Sequence, residues 1–294
     1  MSSTSLYQGG LFVDPNGEAA RAAATLSTQG RAVEASAART IAQQSVATWL
    51  GGWFTDAQLV QKIDSTVVAA EKKGTTPVFV TYNIPNRDCG SHSAGGSADN
   101  AAYLRWNQLV ASHLAGHRAS VIVEPDALAL ISNCPTQTNG REATIAAAVA
   151  ALAAAGVPAY IDAGNSNWVP PQTMAARLKA AGVDRARGFA TNVSNYYPVE
   201  AERGYADKVS ALVGGAHYVI DTSRNGRGWR GDWCNAPGAG LGVVPRVQDG
   251  TTRLDALLWI KTAGASDGPC NGGPAAGQWY AAYAVQLVAN RAAG

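Results

Sequence analysis

Along most of this chain, short apolar runs rich in β-branched residues alternate with helix-favouring runs. Strands are expected at 45–50, 77–82, 119–124, 158–162, 188–193, 217–221 and 256–261, with helices at 56–73, 101–115, 141–155, 171–181, 199–213 and 276–289. Strands and helices alternating at this spacing form βαβ units and one mostly parallel sheet. About seven strands fit a distorted α/β barrel, complete or incomplete, better than two small domains. No linker interrupts 1–294, so a single domain is expected. Within the rhythm, Leu59, Ile63, Val67 and Ala70 form one apolar helix stripe, which Gly74 ends. Before it, the turn Asp14-Pro15-Asn16-Gly17 leads into helical pieces over 18–44. The rhythm carries no sequence self-similarity, which excludes a solenoid.

Charge narrows the class. Lys and Arg number 23 against 21 Asp and Glu, a net +2, with no basic run interleaved with aromatics. Nucleic acid is therefore not an expected partner. No apolar run is long enough to cross a bilayer, and the Ala-rich 144–157 reads as a buried helix, so no membrane association is expected. The start, Met1-Ser2-Ser3-Thr4-Ser5, has neither a charged n-region nor an apolar h-region and reads as a cut ahead of a mature domain; residues 1–6 are expected to be a disordered tail. Cys89, Cys134, Cys234 and Cys270 all lie in Gly/Pro/Asn-rich loops and allow three pairings. Loop-stapling disulfides and secretion are the expectation; unrelated thiols in a cytosolic chain are the alternative. Neither the cysteines nor His92, His113, His117 and His217 have metal-ligand spacing, so no metal or cofactor is expected.

Function is written at the strand ends. Trp49, Tyr82, Glu124 with Asp126, Asp162 with Asn165, Asn192 with Asn195, Asp221 with Arg224, and Lys261 with Asp267 each close a strand. In a parallel barrel those ends share the face on which active sites lie. Strand-end acids that merely pair with Arg or Lys are the plain alternative for any one position. The run Val121-Ile122-Val123 stops at Glu124-Pro125-Asp126 because proline cannot donate to a ladder. A carboxyl at the rim of an apolar layer can keep its proton near neutral pH, as a general acid must. Asp88, Asp126 and Asp267 are expected in one cleft, where mutual repulsion separates their pKa values. Glycoside hydrolysis uses that division, one carboxyl protonating the leaving oxygen and another activating water. Among eight tryptophans, Trp49, Trp53, Trp168, Trp229 and Trp233 lie at strand ends or in loops and offer flat faces to sugar rings. Trp106, Trp259 and Trp279 are expected in the core.

The segments Tyr82-Asn83-Ile84-Pro85-Asn86-Arg87-Asp88-Cys89, Val121-Ile122-Val123-Glu124-Pro125-Asp126, Asn192-Val193-Ser194-Asn195-Tyr196, Ile220-Asp221-Thr222-Ser223-Arg224-Asn225-Gly226, Trp233-Cys234-Asn235 and Trp259-Ile260-Lys261 through Ser266-Asp267-Gly268 resemble glycoside hydrolase family 6, the inverting cellulases. The resemblance implies a distorted seven-stranded barrel and a cleft for β-1,4-glucan, worked by a monomer. It implies Asp126 as general acid, Asp88 as the residue that holds up its pKa and relays a proton, and Asp267 as the aspartate usually proposed as base. Tyr82 would crowd the sugar at the cleavage point. Trp49, Trp168, Asn192, Asn195, Arg224, Trp233 and Lys261 match substrate-binding positions. The cysteines would pair Cys89 with Cys134 and Cys234 with Cys270. Four positions depart from the family pattern: Ala265 for a binding glutamate, Ala239 for an arginine, Asn165 for a histidine, and Ala94 for a serine that holds water. The short passage from Asp267 to Gln278 leaves no room for a cleft roof, which points to internal cleavage. A carbohydrate-binding homologue of weak or no activity, and a hydrolase of another β-glycan, are the alternatives.

Overall fold

The computed structural model describes residues 2–292. Its sheet runs β1 (Thr48–Gly51), β2 (Val78–Tyr82), β3 (Ser120–Val123), β4 (Ala159–Asp162), β5 (Gly188–Thr191), β6 (His217–Asp221), β8 (Leu254–Leu258) and β7 (Arg246–Val247), in that order. All neighbours are parallel except β7, which pairs antiparallel with β8. The expected seven parallel strands are present, and the two-residue β7 is an addition too short to show any sequence period. The barrel is incomplete: β1 and β8 approach only through a bridge between Val46 and Trp259, where the Ala47 N–H donates to the Trp259 carbonyl at 3.0 Å.

Helices α4 (Asp56–Lys72), α5 (Asn100–Leu114), α6 (Arg141–Ala154), α7 (Pro171–Ala180) and α8 (Val199–Leu212) link consecutive strands from outside. Their starts are locally written. Thr55 and Gln58 form a reciprocal capping box on α4, the Asp99 carboxylate caps α5, and Pro171 opens α7. The parallel strands are largely buried on both faces, and the two faces serve different cores. Phe79, Val121, Ile161, Phe189 and Ile220 pack outward on these helices, while Val80, Ile122, Tyr160, Ala190 and Val219 fill the barrel interior. A third layer of α2 (Glu18–Thr28), α3 (Ala32–Ala42) and α9 (Ala281–Ala289) lies over the β1–β8 gap, burying Ala19, Ile41, Trp259, Tyr283 and Leu287 together. Trp106 and Trp259 are core residues as expected, and Trp279 packs against this last layer.

The expected tail is not a tail. Residues Ser3–Leu6 form a short helix, α1, and Leu6 and Tyr7 enter the interior core. Ser3 Oγ donates to Asp255 at 2.6 Å, and the same buried carboxylate accepts from Tyr160 OH at 2.6 Å and from two nitrogens of Arg187 at 2.8 Å each. The N-terminal segment thus plugs the floor of the barrel. A polar Ser/Thr string gave no sign of this, because its partners lie more than a hundred residues away.

Helix α9 begins at Ala281 rather than 276, and β8 spans Leu254–Leu258 rather than 256–261. Each difference has a local cause. Trp259 leaves the ladder to bridge Val46, and the N–H groups of Ile260 and Lys261 donate to Asp221, while Trp279 is taken into a bridge with Ala265.

Candidate active site

The loops after the strands meet at one rim, stitched from below by carboxylates. Glu124, at the end of β3, is buried and accepts backbone N–H groups from Asn83 and Ile84 of the loop after β2, at 3.0 and 3.1 Å. Asp162, at the end of β4, accepts from Asp126 at 2.8 Å and Gly164 at 3.0 Å. Asp221, at the end of β6, accepts from Ser194 at 3.0 Å, Ser223 at 2.8 Å and Lys261 at 2.9 Å. Each strand-end acid therefore ties its neighbour's loop to its own strand. The sequence put these acids on the active face; the structure assigns them to its framework, one shell beneath the cleft.

The backbone above them is strained. Among the described residues the non-glycine positions with positive φ are Asn86, Asp88, Cys89, Glu124, Asp126, Asn192, Ser194, Asn235 and Asn271, all in rim loops. Such conformations persist where surrounding contacts over-determine them, and they concentrate at functional sites.

Asp126 sits half-buried at this rim, with φ of 68° and its N–H on Asp162. Desolvation, then the charge of Asp88, pushes its carboxyl up to about 7, against the pull of Lys261. Asp88 lies at the start of a single 3₁₀ turn, where its carboxylate accepts the Ser93 N–H at 2.8 Å; burial raises its pKa as well. Its loop is organised by Arg87, whose guanidinium donates to the carbonyls of Tyr82 and Ser93 at 2.7 Å and of Ala94 at 3.2 Å. That guanidinium also lies 4.6 Å from the Tyr82 ring centroid. The disulfide Cys89–Cys134 joins this loop to the one after β3, and Cys234–Cys270 joins the loop after β6 to the segment following Asp267. Both pairings are those the resemblance implied.

Asp267 differs in kind. It is buried between Arg224 Nη1 at 2.6 Å and Lys261 Nζ at 2.9 Å, and it accepts the Asn235 N–H at 2.9 Å. Burial works to raise its pKa, but the two cations prevail and hold it below the ordinary carboxylate range. Asn235 also accepts the Asp267 N–H at 2.9 Å, a two-way clamp. Both Arg87 and Asn235 lie in the quoted segments, yet neither stood out as a site residue, because their work is on backbone groups.

The expected sugar-binding residues divide. Tyr82 closes β2 with its ring edge-on to Trp49, at 5.3 Å and 87°, and Trp49 Nε1 donates to the Ile260 carbonyl at 2.8 Å. Trp168 is held by a 2.9 Å bond from Nε1 to Asn133 Oδ1. Trp233 is 48% exposed and meets the His92 ring at 5.9 Å, so the loops after β2 and β6 approach across the cleft. Lys261 reaches the cavity from its bond to Asp267. Arg224 and Asn192, however, are completely buried and cannot touch a sugar. Arg224 donates to Asp267 and to the Ser194 carbonyl, and Asn192 donates to the carbonyls of Tyr197 and Asp221. Asn195, at the edge, spends its amide on the Val193 carbonyl. Arg224 and Asn192 shape the wall rather than the contact surface, a distinction that residue type alone does not carry.

A cavity of about 610 Å³ continues from Tyr82 past Trp49 and Lys261. Ala94 and Ala265, two of the departures, line it, whereas Ala239 is fully buried and Asn165 turns its side chain to the Asn167 N–H.

Comparison with known proteins finds relatives along nearly the whole chain. Endoglucanase A of Cellulomonas fimi is 40% identical over 281 residues, 96% of this chain and 61% of that protein. Endoglucanase 1 of Streptomyces halstedii is 38% identical over 290 residues, 95% of this chain and 88% of that one. The chain therefore spans between about three-fifths and nine-tenths of these two relatives. The solved structure of the endoglucanase Cel6 from Mycobacterium tuberculosis, in complex with methyl-cellobiosyl-4-deoxy-4-thio-β-D-cellobioside, superposes with a TM-score of 0.87 at 40% identity, covering 95% of this chain and 96% of that one. With the model for glycosyl hydrolases family 6 matching residues 7–291, the chain belongs to that family.

Proposed function

We propose that this protein cleaves internal β-1,4-glucosidic bonds of cellulose and related β-glucans, with inversion at the anomeric carbon. The observation that carries the reading is the separation of two carboxyls in one cleft. Asp126 is held up to about 7 and keeps a proton to give, while Asp267 is held ionised by Arg224 and Lys261. Asp126 protonates the leaving glycosidic oxygen as water attacks the opposite face of the sugar. A carboxylate paired with two cations is a weak base. Asp267 therefore stays ionised between its two cations and orders that wall of the cleft. Asp88, whose pKa burial raises, is the better acceptor for the proton leaving that water. Trp49, Trp168 and Trp233 stack the flanking glucosyl rings, and Tyr82 crowds the ring at the cleavage point.

Internal cleavage follows from the loop beyond Asp267. It returns at once through the bridge between Ala265 and Trp279 and is stapled by Cys234–Cys270, so this segment adds no long roof over the cleft. Two loop-stapling disulfides and a polymeric substrate support secretion, and no helix among the described residues is long and apolar enough to cross a membrane. A monomer suffices, since every group invoked comes from one chain.

The test is NMR of the first product anomer released from cellohexaose. The α anomer should appear first and be absent with Asp126→Ala; a β anomer first refutes the inverting mechanism. The small residues Ala94 and Ala265 at the cavity favour a second reading, a carbohydrate-binding homologue without turnover. That reading requires wild type and Asp126→Ala to release equally few reducing ends while both bind cellohexaose.

A further inference from the structure

The start of α2 also lines the cavity beyond Trp49, which brings Glu18 into the same cavity as Trp49, Lys261 and Ala265. Glu18 is half-buried, and its carboxylate has neither a hydrogen bond nor an ion pair among the described residues. Its neighbours are not so placed. Asp14, in the same cavity, is paired with Lys62 at 3.2 Å, and Lys261 is committed to Asp267 at 2.9 Å. Burial raises the Glu18 pKa, and only the through-space attraction of Lys261 and Arg21 opposes it. A partly desolvated carboxylate without a donor costs free energy that a ligand can recover. The cavity supplies the other needs of a sugar site: the Trp49 face for an apolar ring surface, and space left by Ala265 and Gly277.

We propose that Glu18 is a sugar-binding, specificity-determining residue: its carboxylate accepts hydrogen bonds from two hydroxyls of a glucosyl unit seated beyond Trp49, at the end of the cleft. This rests on the β-glucan reading and extends it. A neutral sugar with adjacent equatorial hydroxyls suits one carboxylate, which has acceptors for two donors. The residue comes from the N-terminal helical layer rather than from a strand-end loop.

The measurement is calorimetric titration of cellohexaose into Asp126→Ala protein, which binds without turnover, with and without Glu18→Ala or Glu18→Gln. Hydrogen bonds to a charged acceptor predict about tenfold weaker binding for Glu18→Ala and a smaller loss for Glu18→Gln, which keeps the shape of the helix start. In the otherwise native enzyme, Glu18→Gln should shift the cellohexaose product ratio away from the register that fills this cavity, a change that a purely structural role does not produce. Unchanged affinity and product ratio in both variants overturn the proposal. Absence of cellohexaose binding by Asp126→Ala alone overturns the β-glucan reading and this proposal together.

Discussion

Three aspartates in one cleft have three different environments, and each predicts a separate behaviour. Asp126 must be protonated to act, so kcat/KM should fall as pH rises through about 7. A profile flat from neutral to alkaline pH contradicts its role. Asp126→Asn should lower kcat by about 10²–10⁴-fold with little change in substrate binding, the contribution typical of a lost general acid. Arg224 is buried against Asp267 with no outlet to solvent. Arg224→Met leaves that carboxylate with one cation fewer, and breaking a buried pair from one side costs about 3–5 kcal/mol. Urea titration should show the loss, and a stability within 1 kcal/mol of wild type would mean the pair is dispensable. The sequence placed Arg224 among the substrate-binding residues, whereas its side chain is buried. Residue order could not show this, since a binding arginine and a structural one look alike until burial is known.

Among the elements, the loops after β2, β3 and β8 carry the three aspartates of the proposed mechanism, and their order comes from below and from the side. Glu124, Asp162 and Asp221 hold their backbones, and the two disulfides tie the loops of Asp88 and Asp267 to their neighbours. Replacing Cys89 and Cys134 by Ser should cost about 2–4 kcal/mol and reduce activity, because the loop that bears Asp88 gains freedom. Denaturant titration beside an activity assay checks both; full activity in the unlinked protein would mean that Arg87 alone sets the loop. The helices were legible in outline, since an apolar stripe such as Leu59, Ile63, Val67 and Ala70 and a closing Gly74 are local signals. The strained rim residues were not, because only the finished loop imposes a positive φ on Glu124 or Asp126.

At the scale of the whole molecule, the barrel is plugged at one end by α1 and strapped along its gap by α2, α3 and α9. Deleting residues 2–7 removes Leu6 and Tyr7 from the interior core and Ser3 from Asp255. Burial of two large side chains predicts a loss of about 3 kcal/mol or more. An unchanged thermal midpoint would return the segment to the status of a tail. Protonation adds a molecule-wide effect. Asp126 and Glu124 are both raised to about 7, and Asp162 is raised as well. From about pH 4 to 7 the folded state therefore holds more protons than the unfolded chain, and stability falls as pH rises. Asp267 acts with the opposite sign, its contribution being lost only as acid titrates it below the ordinary range, and the depressed His217 offsets part of the trend near pH 6.5. The urea midpoint should be higher at pH 5 than at pH 8.

The alternation of strand and helix, the polar residue at each strand end and the three aspartates were written in the order of the residues, because periodicity and proline placement act over a few positions. Tertiary structure alone decided which strand-end acids lie beneath the rim loops, where the N-terminal segment goes, and that Glu18 lines one cavity with Trp49. Those outcomes depend on desolvation and on partners distant in the chain, and neither exists until the sheet has curled and its loops have met.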